Sequence, residues 1–117
     1  MLTPTALEKR LRFLAQTTPT FHGPLKGCFA LTTMVNGTNT ITLPDPQKWD
    51  DDYILRTYIH ELCHIALPGE LVAFGIFEES IIERVLEPYV MLHILKRPRI
   101  HEWWLKRLAA AQPRDSQ

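Results

Sequence analysis

Two histidines one helical turn apart mark the part of the chain whose residue types could do chemistry. The run His60-Glu61-Leu62-Cys63-His64 spells H-E-x-x-H within a stretch predicted as helix. Residues at i and i+4 lie on the same face of a helix, so the two imidazoles can converge on one metal ion. Glu61 then lies beside the ion, where it can take a proton from water that the ion activates. The motif predicts the metal-binding half of a zinc peptidase site, with Zn²⁺ as the cofactor.

A catalytic zinc needs a third protein ligand besides the two histidines, with one position left for water. A helix predicted after the motif opens with Glu78 and Glu79, and Glu83 follows one turn later. Carboxylates on a helix whose other face is apolar are costly unless they are paired or bind metal. We expect Glu79 to bind zinc and Glu83 to accept a hydrogen bond from a ligand histidine. Glu78 stays an alternative ligand, because it projects nearer the centre of the apolar stripe.

Glu70 is a further candidate, six residues after His64, where the pattern H-E-x-x-H-x-x-G-x-x-H has its last ligand. That pattern needs a turn-making glycine three residues after the second histidine, and Leu67 stands there. Glu70 is therefore the less favoured choice.

The elements that must position these residues predict an α+β fold. In chain order they are a helix over Thr3–Gln16, a loop over Thr17–Pro24, strands over Cys28–Val35 and Thr38–Leu43, the motif helix from Asp50-Asp51-Asp52 to Pro68-Gly69, a helix over Phe77–Leu86 that Pro88 kinks or restarts to reach Lys96, and a last helix over Ile100–Ala111. Asn36-Gly37 is a strong two-residue hairpin turn, so the two strands form a small antiparallel sheet. The acidic cluster suits an N-cap without a catalytic role.

Composition describes one ordinary domain. The chain has 117 residues, of which 45% are hydrophobic and 22% charged, enough for a single core over residues 1–112 with a frayed tail over 113–117. Thirteen basic residues balance thirteen acidic ones, so no overall field favours nucleic acid or a membrane. No apolar run is long enough to span a bilayer, and Met1–Arg12 lacks the apolar stretch of a signal peptide. Cys28 and Cys63 make no disulfide framework, and we expect a cytoplasmic protein with free thiols.

A family resemblance rests on two stretches of the chain. The hairpin ending in I-T-L-P, a polar spacer and the helix Y-I-L-R-T-Y-I-H-E-L-C-H-I-A-L resemble the core of SprT-like zinc proteases over about Gly27–Leu67. The later E-S-I-I-E-R, Glu79–Arg84, resembles the E-x-x-x-D/E helix of gluzincins and of small phage-type H-E-x-x-H proteins. The third histidine of the SprT pattern has no counterpart in this sequence. The resemblance implies a minimal zincin-like metallopeptidase fold, without the DNA-linked substrates of SprT relatives.

The function expected from the sequence is zinc-dependent hydrolysis of a protein or peptide substrate, with Glu61 as general base. The alternative is a non-catalytic zinc-containing protein that binds nucleic acid through its basic C-terminal third. That third interleaves Lys96, Arg97, Arg99, Lys106 and Arg107 with Trp103 and Trp104. A solvated helix face with core tryptophans is the favoured interpretation of this pattern. Tyr89, His93 and His101 are candidate oxyanion donors, although packing or surface roles fit them better.

Overall fold

The computed structural model describes residues 3–23, 30–66 and 80–113, apart from the side chain of Val35, and confirms the α+β class. The described elements are helices α1 (Pro4–Thr17), α2 (Asp51–Ala66), α3 (Glu87–Leu95) and α4 (Pro98–Ala110), strands β1 (Thr20–His22), β2 (Leu31–Val35), β3 (Thr38–Leu43) and β4 (Gln112–Pro113), and a π-helical segment (Ile82–Leu86) that leads into α3. Cys28 and the candidate ligands Glu70, Glu78 and Glu79 lie outside the described residues. Within the described ranges, no helix is both long and apolar enough to cross a membrane.

The predicted hairpin is confirmed by β2 and β3, which pair antiparallel. Asn36 and Gly37 connect the two strands with φ angles of 52° and 78°. Positive φ at both central residues is the signature of a type I′ turn, whose twist matches that of the flanking strands. The local turn chemistry therefore sets the register of this hairpin.

The sheet contains two further strands that the sequence did not predict. The strand order is β2-β3-β1-β4, and β1 pairs parallel with both β3 and β4. Thr20–His22 was predicted as loop and Gln112–Pro113 as the junction with a frayed tail, and both predictions were wrong. Strands of two or three residues are too short to show an alternating pattern, so only tertiary pairing defines them.

Helix α2 begins at the acidic cluster, as predicted. Asp50 accepts a hydrogen bond from the backbone N–H of Tyr53 at 2.7 Å, and Asp51 and Asp52 follow in the first turn. This is an N-cap with carboxylates at the positive end of the helix dipole. The buried face of α2 consists of Ile54, Leu55, Tyr58, Ile59, Leu62 and Cys63. Because α2 contacts α1, α3, α4 and β3, it is the central helix of the core.

The π-helical segment replaces the end of the helix predicted over Phe77–Leu86. The backbone N–H of Glu87 bonds to the carbonyl of Ile82, five residues back, and Pro88 lies in the first turn of α3. Pro88 has no N–H, and its ring would clash with the carbonyl of Arg84 in a continuous α-helix. The α-helical geometry is therefore interrupted before Pro88, where a kink or restart was predicted, and it resumes at Glu87. Val85 lies within this segment and is 56% exposed.

A buried carboxylate joins α1 to α4. Thr3 caps α1 by accepting from the N–H of Ala6, so Glu8 takes no part in a capping box. Glu8 is only 1% exposed and accepts hydrogen bonds from Arg12 Nε and Trp104 Nε1, each at 2.9 Å. A buried charge of this kind persists only when it is fully paired. Trp104 is consequently a core residue, as the sequence favoured.

Replacing Glu8 should destabilise the fold because it leaves the Trp104 N–H without its acceptor and removes the partner of Arg12. We expect Glu8→Ala to lower the free energy of unfolding by about 2–3 kcal/mol. Glu102→Ala is the matched control, since Glu102 forms an exposed pair with Lys106 and should cost less than about 0.5 kcal/mol. Urea denaturation measures both changes, and equal effects of the two substitutions would contradict this account.

Candidate metal centre

His60 and His64 project from the same face of α2, as the motif predicted. Their Nε2 atoms lie 3.3 Å apart. Zn–N bonds of 2.0–2.1 Å in tetrahedral geometry separate two nitrogen donors by about 3.3–3.4 Å. The spacing between these two nitrogens therefore fits two ligands of one zinc ion.

Glu87 fixes the orientation of the first histidine. Its Oε2 lies 3.0 Å from Nδ1 of His60. Because a carboxylate accepts the hydrogen bond, Nδ1 carries the proton and the lone pair of His60 lies on Nε2, the nitrogen next to His64. A carboxylate behind a ligand histidine also raises the basicity of the ring. Glu87 thus makes the contact with a motif histidine that was expected of Glu83, and the sequence pattern did not indicate it.

Glu61 projects toward the sheet. Its Oε2 accepts a hydrogen bond of 3.0 Å from Oγ1 of Thr32 on β2. This contact holds the carboxylate in one orientation beside the histidine pair. Glu61 lines the same cavity as His60 and His64, and its role as a general base stays a prediction.

One cavity of about 500 Å³ contains these groups. It is lined by Ala30, Tyr53, Arg56, Thr57, His60, Glu61, His64, Glu83 and Glu87. One wall is the polar face of α2. The π segment contributes Glu83, and the start of α3 contributes Glu87. The structure therefore brings His60, Glu61 and His64 together with Glu83, the residue predicted to support a ligand histidine.

A catalytic zinc would need a third protein ligand. In residues 3–23, 30–66 and 80–113, no three His, Cys, Asp or Glu side chains are grouped closely enough to hold a metal ion. Glu83 is exposed and lines the cavity, which makes it a candidate ligand among the described residues. The donor set available here, two imidazoles and a nearby carboxylate, has the chemistry that zinc prefers.

The candidate oxyanion donors lie elsewhere. Tyr89 is exposed, and His93 is buried, which lowers its pKa. His101 lies beside the N-terminus of α2, with its Nε2 3.5 Å from Asp52. Since none of the three is among the described residues that line the cavity, the packing and surface roles favoured by the sequence fit them.

Cys63 is a core residue and not a metal ligand in this arrangement. It lies on the buried face of α2, and burial together with the nearby charge of Glu87 raises the pKa of its thiol to about 12. A protonated thiol is a poor ligand and a poor nucleophile. The side chain therefore acts as a small apolar residue within the motif, as predicted.

The basic residues of the C-terminal third make contacts within the chain. Arg107 donates to the carbonyl of Ala15 at 2.7 Å, and Lys106 pairs with Glu102 at 3.1 Å. Arg97 donates to the carbonyl of His93. These contacts agree with structural and solvated roles, while binding of nucleic acid stays an untested prediction.

Comparison of the chain with models of protein families, with curated proteins and with solved structures finds no match. The function of the chain is therefore inferred from the geometry of the site.

The Glu87–His60 hydrogen bond should strengthen metal binding, because it fixes the tautomer and the ring orientation of a ligand. We expect Glu87→Ala to weaken zinc affinity about 10–100-fold, as loss of such a supporting carboxylate does. Competition with a chromophoric chelator measures this affinity, and Glu102→Ala is the control that should leave it unchanged. A folded Glu87→Ala protein that binds zinc as tightly as the parent would show that Glu87 has no supporting role.

Proposed function

We propose that this chain is a zinc-dependent metallopeptidase in which His60 and His64 hold the ion and Glu61 is the general base. The observation that carries the proposal is the 3.3 Å separation of the two Nε2 atoms, in a histidine pair that Glu87 orients. The same distance is that of a hydrogen bond between two imidazoles one turn apart, and the supporting carboxylate of Glu87 is what favours the metal site. Glu61 in the same cavity supplies the group that distinguishes an enzyme from a structural zinc site.

Glu83 is the third ligand that we now favour over Glu79. The sequence suggested a ligand and a supporting carboxylate one turn apart, at Glu79 and Glu83. Glu87 occupies the supporting role, so the same spacing places the ligand at Glu83, which lines the cavity. Glu79 and Glu78 stay as alternatives.

The residues of the cavity have distinct tasks in peptide hydrolysis. Bound zinc supplies a Lewis acid that lowers the pKa of water toward neutrality. Glu61 accepts the proton of the attacking water and returns it to the leaving amine. Thr32 keeps the carboxylate of Glu61 in the orientation that this transfer needs, through its hydrogen bond of 3.0 Å. Glu87 keeps the proton of His60 on Nδ1, so that Nε2 stays a donor toward the ion.

The position of β2 supports a peptide or protein substrate. In the described sheet β2 is an edge strand, and it contributes Thr32 to the site. An edge strand offers backbone hydrogen bonds to an extended peptide. Leu31 and Met34 on this strand are exposed, which adds apolar surface for substrate side chains. The zinc-containing nucleic-acid-binding alternative has no comparable support.

Substitution of Glu61 separates an enzyme from a structural zinc site. Glu61→Gln should bind one zinc per chain and keep its fold, yet lose at least about 100-fold in peptide cleavage, because an amide cannot accept the proton. His60→Ala is the companion variant and should lose stoichiometric zinc. Zinc content by elemental analysis and cleavage of a quenched peptide library give the two readouts. A Glu61→Gln protein as active as the parent would refute the hydrolase proposal.

The third ligand is tested by zinc affinity across four single substitutions. We expect Glu83→Gln to weaken binding most, because a two-histidine site holds zinc poorly. Glu79→Gln and Glu78→Gln should have smaller effects, and Glu70→Gln should have almost none. Each variant is titrated against the same chelator, and circular dichroism confirms that it is folded. The largest loss at Glu79 would restore the ligand that the sequence first indicated.

A further inference from the structure

Arg56 brings a positive charge into a cavity that is otherwise lined by acidic, histidine and neutral side chains. Its side chain is 57% exposed, and its Nε lies 3.7 Å from Oε1 of Glu87, beyond hydrogen-bond distance. Glu87 is largely buried, yet an ion pair at this distance forms no hydrogen bond. Asp52, one turn earlier on α2, lies against His101 instead. The pair with Glu87 therefore leaves guanidinium N–H donors of Arg56 available to a ligand in the cavity.

The position of Arg56 on α2 sets how far a substrate group bound there would lie from the two histidines. Arg56 precedes His60 by one turn on the same face of α2, about 6 Å along the helix axis. An extended peptide advances about 3.3–3.6 Å per residue. A substrate group bound at Arg56 would thus lie about two residues from the bond that is cleaved. Tyr53, one turn before Arg56, also lines the cavity, and its ring stacks on Trp49 with 4.7 Å between centroids.

We infer that Arg56 is a specificity residue that binds a carboxylate of the peptide substrate, about two residues from the cleaved bond. The guanidinium fork matches a carboxylate in shape and charge, which a lysine would not. Of the three carboxylates that line the cavity, Glu87 is held by His60 and Glu61 by Thr32, and Glu83 is the metal ligand proposed above. The carboxylate has two possible sources, an aspartate or glutamate side chain or the C-terminus of the peptide. This inference rests on the proposed peptidase function.

Binding to the zinc-loaded Glu61→Gln protein tests the inference without cleavage. The probes are three pools of acetylated hexapeptides. In each pool one residue type is fixed, the fixed residue is moved through every position of the peptide, and the remaining positions are randomised. The first pool has a fixed Asp and an amidated C-terminus, the second a fixed Asn and an amidated C-terminus, and the third a fixed Asn and a free C-terminus. Calorimetry measures the affinity of each pool.

We expect the first or the third pool to bind about tenfold more tightly than the second, which is the effect of one charge-assisted hydrogen-bonded contact. Tighter binding of the first pool would identify a side-chain carboxylate as the ligand of Arg56, and tighter binding of the third pool would identify a C-terminal carboxylate. Arg56→Gln, made in the same background, should reduce the preference to about one, and Arg56→Lys should restore only part of it. Arg10→Gln is the matched control, because Arg10 is exposed on α1 and should leave the preference intact.

Three results would overturn the inference: equal affinity for all pools, no binding of any pool, or a preference that survives Arg56→Gln. Cleavage of the same pools by the parent protein is followed separately by mass spectrometry. If the parent cleaves nothing but the binding preference depends on Arg56, the peptidase proposal fails while the carboxylate site stands. If the parent cleaves without regard to carboxylates, the peptidase proposal stands and the role of Arg56 is refuted.

Discussion

The hydrogen bond between His60 on α2 and Glu87 at the start of α3 is the interaction on which the candidate site depends. It assigns the proton of the imidazole to Nδ1 and thereby directs the lone pair of Nε2 toward the ion-binding position. Because it joins two helices, the orientation of the ring is set by their packing. That packing uses buried apolar residues of the π segment and α3, namely Ile82, Leu86, Val90, Met91 and Ile94. The position of one nitrogen atom is thus determined by the core.

The π segment explains how Glu87 comes to this position. A turn of π-helix contains one residue more than a turn of α-helix, so the residues after it are displaced by about 100° around the axis. This displacement carries Glu87 to the cavity, while Val85 within the segment is exposed. Its physical cause is Pro88, which can neither donate to the helical ladder nor tolerate the carbonyl of Arg84 beneath its ring. A local constraint on the backbone therefore selects the carboxylate that supports the histidine.

The parts of this structure that the sequence predicted are those fixed by local chemistry. The type I′ turn at Asn36-Gly37, the cap at Asp50 and the i, i+4 spacing of the motif each involve residues close in sequence. Glu87 could not be predicted in the same way, because a pattern with a period of 3.6 residues assumes an uninterrupted α-helix. The supporting contact to His60 was expected from Glu83, and the structure gives it to Glu87, one turn later. The proline four residues after Arg84 was the available signal, and it indicated a break without indicating its geometry.

One face of helix α2 packs in the core, and the opposite face lines the cavity. This arrangement affects the stability of the fold. Tyr53, Thr57, His60 and His64 follow a helical stripe along the cavity, opposite the buried side chains. Three carboxylates meet the same cavity, and like charges in one partly buried space oppose folding. Arg56 offsets only part of that repulsion. A divalent cation that binds the folded chain and not the unfolded one would offset the remainder, and its binding free energy would add to stability by mass action. In this arrangement the groups that would perform the chemistry are also the groups that would couple folding to a bound metal ion.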